Sequence, residues 1–376
     1  MPRSLFLVLA LLLAAAGSRV LAQTPSPTPP TDNTEGQEPV KVFTEEVRLP
    51  VFATDSYGHY DPTLVIDDLL VLEDREQQQI RSLRHIPSNV LLILDTGGGD
   101  LLGLGGMSKK TSTTRDVALK LISLLARGDL VAVMQSSDKS DLLQSWTDNM
   151  TQVERVLKTK LFAGKRSRIF ETMTKAAQML SDRPEGSRHV ILITDGVETP
   201  GGRVAMADAL KQLTEARATI HIISYTTLVL QKDEKKEPDV RIGMRPVSEN
   251  PITATDPTLP PGSTRMPSYG VSIRFDPAMK KRRKAYEAEV VNSEKWLTEL
   301  ADETGGRIFL PKTNEEMVAQ GAEVAREIGA QYVVTYRPTK PLSSAAPGEY
   351  RHIEVASRRV GLYLRTRRGY FVPRSQ

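Results

Sequence analysis

Two hydrophobic rhythms divide this chain. Through its middle, short runs are apolar at nearly every position: residues 89–94, 130–134, 189–194 and 219–224. A strand that is apolar on successive residues has both faces covered, the condition of a parallel sheet lying between layers of helices. Between those runs the apolar positions fall at helical spacing. Val117, Leu121, Ile122 and Leu125 predict a helix over 113–126 that stops at Gly128, and similar patterns predict helices over 169–180 and 204–216. Thr151-Gln152-Val153-Glu154 and Thr313-Asn314-Glu315-Glu316 have the spacing of capping boxes, predicting helices over 151–161 and from 313 to about 328. Residues 142–146 fit an edge strand. A helix through Trp296, Leu297, Leu300 and Ala301, ended by Gly305-Gly306, leads into a last strand at 307–310.

Toward both ends the rhythm shortens to that of antiparallel strands. Segments 47–53, 69–74 and 79–83 precede the alternating region, and 331–336, 350–356 and 362–370 follow it. Neither group has enough strands to bury two faces alone. Residues 41–86 and 331–373 are therefore expected to pack together as one small discontinuous β-sandwich-like domain. It would accompany a doubly wound, mostly parallel α/β domain over 88–312, with 313–330 as a connecting helix. Eight prolines between Pro238 and Pro277 interrupt the alternation, marking an insertion over about 229–292 whose proline-rich stretch is expected to be mobile and dispensable to the fold.

The amino terminus changes the picture of where the chain works. Arg3 precedes an apolar run over 5–16 and a small-residue exit at Val20-Leu21-Ala22, the pattern of a secretory signal over 1–22 cut after Ala22. Twelve apolar residues are too few to cross a hydrocarbon core, which needs ~20. Residues 23–40 are polar and proline-rich, a linker composition. These features predict a secreted or periplasmic protein of bacterial type, with no transmembrane segment after the signal. Cysteine is absent, which excludes disulfides, thiol catalysis and cysteine metal sites. The formal charge of +4 becomes +2 once Arg3 and Arg19 leave with the signal, too little for a dedicated nucleic-acid binder.

Candidate chemistry gathers at two strand ends, where open parallel sheets place their ligand sites. One reads Val90-Leu91-Leu92-Ile93-Leu94-Asp95-Thr96-Gly97-Gly98-Gly99, the other Val190-Ile191-Leu192-Ile193-Thr194-Asp195-Gly196. These resemble the first and fourth strands of a von Willebrand factor A domain, a Rossmann-like fold. In that family they end in Asp-x-Ser-x-Ser and Thr-Asp-Gly and form a metal-ion-dependent adhesion site. The family's third element, a Thr opening a helix, aligns with Ser167. Gln77-Gln78-Gln79-Ile80, Glu303-Thr304-Gly305-Gly306-Arg307, the segment 331–338 and Arg367-Arg368-Gly369-Tyr370 are further similar to a von Willebrand factor A-related family abundant in acidobacteria.

The resemblance implies a protein-binding or adhesion module with a site at Asp95, Ser167 and Asp195 and a ligand rim of Thr96, Gly97, Gly99, Asp100 and Gly196. Here glycines 97 and 99 stand where the family has serines, so two neutral ligands are missing and the site is expected to be degenerate, with at most weak Mg²⁺ (or other divalent cation) binding and no other cofactor. Replacing both glycines by serine is expected to create Mg²⁺-dependent stability. The glycine cluster lacks the G-x-x-x-x-G-K-[ST] phosphate cradle, the five histidines form no H-x-x-x-H pair, and no G-x-S-x-G elbow occurs, so no catalytic residue is assigned. The expected function is binding of a protein partner. A metal- or nucleotide-dependent exported enzyme and a purely structural envelope component are the alternatives.

Overall fold

The structure is a computed structural model that describes residues 45–98, 110–234, 240–244, 269–273, 277–346 and 348–372. The expected signal, the linker, Gly99, Asp100 and most of the proline-rich stretch lie outside the described residues. The amino-terminal strands are β1 (Val47–Thr54), β2 (Leu69–Glu73), β3 (Glu76–Gln77) and β4 (Gln79–Arg84). The alternating region supplies β5 (Asn89–Asp95), α1 (Thr111–Ile122), β6 (Leu130–Ser136), β7 (Ser140–Thr147), α2 (Met150–Lys160), α3 (Ile169–Ser181), β8 (Arg188–Thr194), α4 (Met206–Glu215), β9 (Thr219–Ser224) and α5 (Thr226–Glu234). A two-stranded hairpin of β10 (Val240–Met244) and β11 (Tyr269–Ile273) precedes the long α6 (Pro277–Thr304) and the short β12 (Ile308–Phe309). The chain ends with α7 (Asn314–Gly329), β13 (Tyr332–Arg337), β14 (Tyr350–Ser357), β15 (Tyr363–Arg365) and β16 (Gly369–Phe371).

Six strands form the central sheet in the order β12-β9-β8-β5-β6-β7, all parallel except β7, which runs antiparallel to β6. The unbroken apolar strands follow from burial on both sides. In β5, Val90, Leu92 and Leu94 pack with α1, α2 and α7 through Val117, Leu121, Val153 and Val324. Leu91 and Ile93 face the other way, onto α3, α4 and α6 through Met173, Leu213 and Leu297. This is the mixed α/β, mostly parallel architecture that the alternation implies. Because β5 has β6 on one side and β8 on the other, the winding reverses between β5 and β8, and their carboxyl ends open a crevice there.

Two further four-stranded antiparallel sheets, β15-β1-β13-β4 and β16-β14-β2-β3, enclose one core of Val47, Leu49, Val51, Val71, Val334 and Tyr336 among others. Both mix strands from the two ends of the chain. At their heart Glu73, almost fully buried, accepts hydrogen bonds from Tyr336 (2.6 Å), Tyr370 (3.0 Å) and the buried Arg351 (2.7 Å). A buried carboxylate needs such partners to remain charged.

Three boundaries differ from the sequence reading. α2 starts at Met150, capped by the Asn149 side chain accepting from the Gln152 amide at 3.1 Å, because Asn at this position reaches the orphan amide before Thr151 does. The segment 362–370 splits into β15 and β16, which join different sheets. Between them Thr366 donates to the Pro50 carbonyl and the buried Arg367 to that of Arg48. The insertion is narrower than about 229–292, since its edges are the helical α5 and α6, and Val290 of α6 is fully buried.

Candidate functional site

At the carboxyl end of β5, Asp95 is fully buried and each of its oxygens accepts a hydroxyl. Ser167 Oγ donates to Oδ1 at 2.9 Å and Thr194 Oγ1 to Oδ2 at 2.6 Å. Ser167 sits just ahead of α3. Its amide donates to Thr199 Oγ1 (2.8 Å) and its carbonyl accepts from the Thr199 amide (3.2 Å), which fastens this turn to the loop after β8. Asp195, 1% exposed, lies on that loop, one residue past β8. Its Oδ1 accepts from the Val197 amide at 3.0 Å and its Oδ2 from the Tyr286 hydroxyl at 2.8 Å. The three residues implied by the family resemblance thus converge, with both carboxylates engaged by intramolecular donors.

The described rim residues are equally tied down. Thr96 donates its hydroxyl to the Phe162 carbonyl (2.9 Å), accepts from Gln135 (2.5 Å), and takes the Gly164 amide on its own carbonyl (3.1 Å). The chain at Gly97 approaches the α2–α3 loop so closely that a β-carbon there would lie 1.7 Å from the Arg166 carbonyl oxygen. Gly196 has φ +75°, and a β-carbon on it would meet Ser293, Trp296 and Leu297 of α6 at 2.8–3.0 Å. Both glycines are required by what packs on them. The expectation that serines at 97 and 99 would rebuild a metal site is corrected at Gly97: the backbone there leaves no space for a side chain.

The helix expected through Trp296 is the long α6, and what the sequence did not show is its course across the site. Tyr286 and Val290 belong to the core on one face of the sheet, and Leu297 and Ala301 to the core on the other, so the helix passes over the carboxyl ends of the strands. Ser293 donates to the Asp195 carbonyl at 2.5 Å. A signal did exist: Tyr286, Val290, Ser293 and Leu297 recur at four, three and four residues, a stripe on one helical face. Nothing local identified what the stripe covers. A cleft of about 210 Å³ remains between α6 and the loop after β8, lined by Asp195, Pro200, Tyr286 and Glu289. Nearby, burial raises the Glu198 carboxyl above its ordinary range, while the Phe170 amide and Arg168 pull against that shift.

Mg²⁺ requires close to six oxygens in octahedral array. Two glycines supply no side-chain donor, and the four carboxylate oxygens of Asp95 and Asp195 already accept from protein hydroxyls and an amide. Among the described residues, this donor set as arranged does not fit the ion.

Residues 90–198 match the family model of the von Willebrand factor type A domain, from within β5 to the loop after β8. This part of the chain is a von Willebrand factor type A domain. Among solved structures, the chain is similar to a von Willebrand factor type A protein from Catenulispora acidiphila, at 10% identity over 88% of this chain and 74% of that one, with a TM-score of 0.40. An aerotolerance-related membrane protein from Bacteroides fragilis shares 15% identity over 64% of this chain and 98% of its own, with a TM-score of 0.37. The manganese-loaded TRAP protein of Plasmodium vivax shares 14% over 48% and 61%, with a TM-score of 0.31. No curated protein matches the chain by sequence. The von Willebrand factor type A domain here carries the type's strand-end aspartates, but α6 lies across them. Among the described residues, no helix is long and apolar enough to cross a membrane.

Proposed function

We propose that this is an exported, non-catalytic binding and adhesion module whose von Willebrand factor type A domain recognises a protein partner through its loop rim, without needing a metal ion. The observation that carries this reading is the closed hydrogen-bond set on Asp95 and Asp195, which ties the rim loops to one another and to α6 from within the chain. Loops tied together at Thr96, Ser167 and Asp195 present a pre-organised surface, which lowers the cost of binding. Phe162 lies in the rim loop that Thr96 anchors and is 67% exposed, an aromatic anchor of the kind that dominates protein interfaces. The amino-terminal secretory pattern supports export.

The reading is tested with the protein purified from the secreted fraction of its host. Its amino terminus should begin at Gln23, and partner capture should be the same in EDTA and in millimolar Mg²⁺ but weakened by Phe162→Ala. Calorimetry should give no saturable Mg²⁺ binding. Tight Mg²⁺ binding that disappears in Asp195→Ala would return the protein to metal-dependent adhesion and overturn the proposal.

A further inference from the structure

Beside the aspartate cluster, on the same rim, the turn after β6, the start of α3 and the loop at 200–203 enclose a cavity of about 330 Å³. Four cationic side chains line it, Lys139, Arg166, Arg168 and Arg203, against two acids, Asp138 and Glu171. We propose that this cavity is the receptor for a carboxylate side chain of an acidic segment of the partner protein. The inference rests on the protein-binding reading of the rim and assigns the partner its chemistry.

The balance of partners inside the cavity supports it. Asp138 is occupied by backbone, accepting from the amides of Arg166 at 3.0 Å and Lys165 at 3.4 Å. Glu171 pairs with Lys175 at 3.0 Å, and Lys139 with Asp141 at 2.9 Å. Arg168, only 8% exposed, is fixed by the Thr199 carbonyl at 2.7 Å and by Glu198 at 3.4 Å. Arg166 and Arg203 are exposed and have no ion pair among the described residues. A rigid guanidinium at the wall and two unspent ones at the mouth suit a planar carboxylate, which guanidinium groups bind through paired hydrogen bonds. The start of α3 contributes little itself, because Glu198 already accepts from the Phe170 amide at 3.2 Å. Asp138 and Glu171 favour a singly charged carboxylate over a phosphate dianion, which they would repel more strongly. The small formal charge of the chain likewise offers no wider basic field for a nucleic acid.

The test uses a fluorescein-labelled decapeptide of alternating glutamate and glycine and measures anisotropy with the full secreted chain. The glutamate peptide should bind and its glutamine counterpart should not, and added salt should weaken binding. The double variant Arg166→Ala/Arg203→Ala should bind at least about tenfold more weakly, with an unchanged melting temperature. Arg166→Glu/Arg203→Glu should lose the glutamate peptide and gain a lysine one. Equal binding of the glutamine peptide, undiminished binding by the double alanine variant, or displacement by inorganic phosphate at lower concentration than by free glutamate peptide would each overturn the proposal. Partner capture separates the two readings. Loss with Phe162→Ala but not with Arg166→Ala/Arg203→Ala leaves the rim reading standing and removes the acidic receptor. If neither variant changes capture, both fall.

Discussion

At Gly97 the strand-end loop meets the Arg166 carbonyl so closely that any β-carbon would lie 1.7 Å from its oxygen, and the neighbouring atoms are backbone and cannot rotate aside. Gly97→Ser should therefore force the α2–α3 loop away from β5 and destabilise the fold by ~1–3 kcal/mol, the usual range for overpacking. It should do so equally with and without Mg²⁺, as thermal melts will show; a gain in stability specific to Mg²⁺ would sink this account. A second residue-scale consequence lies under the sheet. His189 and His221 stack with centroids 5.9 Å apart, both fully buried, and neither ring nitrogen of either has a hydrogen-bond partner among the described residues. Burial lowers His189 from 6.5 to about 3, and His221 moves in the same direction despite the Glu327 carboxylate 3.8 Å away. The unfolded chain takes up a proton at each position as pH falls below about 6.5, while in the folded chain His189 stays neutral until about pH 3 and burial holds His221 neutral in the same direction, so stability is full above about pH 6.5 and drains on acidification. His189 should remove ~2 kcal/mol between about pH 7.5 and about pH 5, with His221 adding in the same direction, read from urea unfolding. His189→Phe should flatten that slope by one proton's worth. The sequence shows both histidines at buried strands, and nothing in it shows that they stack, since strand neighbours are set by topology.

At the scale of elements, the strands of the central sheet could be read from composition because burial on both faces leaves an unbroken apolar run, as in β5 and β8. α6 was legible as a helix near Trp296, but its role was not. Which strand ends a helix crosses depends on the course of the chain between α5 and α6, and that stretch has no apolar period. The contact to the carboxylate itself is a hydroxyl, Tyr286 on Asp195, from a helix 91 residues along the chain, with Ser293 of the same helix on the Asp195 carbonyl. Tyr286→Phe keeps the ring in the core and removes the hydroxyl, leaving Asp195 Oδ2 short of one donor. The expected outcome is a loss of ~1.5–3 kcal/mol, the range for removing one hydrogen bond to a charged group. Amide exchange should quicken over residues 281–292 and at Val197 while β5 and β8 stay protected. Unchanged protection across α6 would mean that its apolar stripe alone holds it over the site.

For the whole molecule, the decisive feature is that strands from the two chain ends depend on each other. β1 lies between β15 and β13, and β2 between β14 and the two-residue β3, so every substantial partner of the amino-terminal strands comes from beyond residue 331. The shortage of strands at either end predicts that residues 41–86 and 331–373 pack together, but not which strand pairs with which, because register between segments nearly 300 residues apart leaves no periodic trace in either one. The pairing also fastens the small domain to the α/β domain. Phe52 of β1 meets His221 of β9 edge-on, with ring centroids 6.1 Å apart, and Arg365 of β15 stacks on Phe52 while pairing with Glu327 of α7. A chain ending at residue 330 would keep β1 and β2 but expose Val47, Leu49, Val51, Leu69 and Val71, all now 2% exposed or less. At roughly 1.5–3 kcal/mol for each large apolar side chain, the loss approaches ~10 kcal/mol, comparable to the whole stability of a typical domain. β1 would also present two unpaired edges, a template for aggregation. Residues 45–330 expressed alone should therefore be insoluble, or soluble only with residues 45–86 cut away by protease, leaving the α/β domain as the resistant fragment. Should that truncated chain prove soluble, monomeric and as heat-stable as the full one, with 45–86 intact, the amino-terminal strands would have to find a core without their carboxyl-terminal partners, and the interdependence argued here would be wrong.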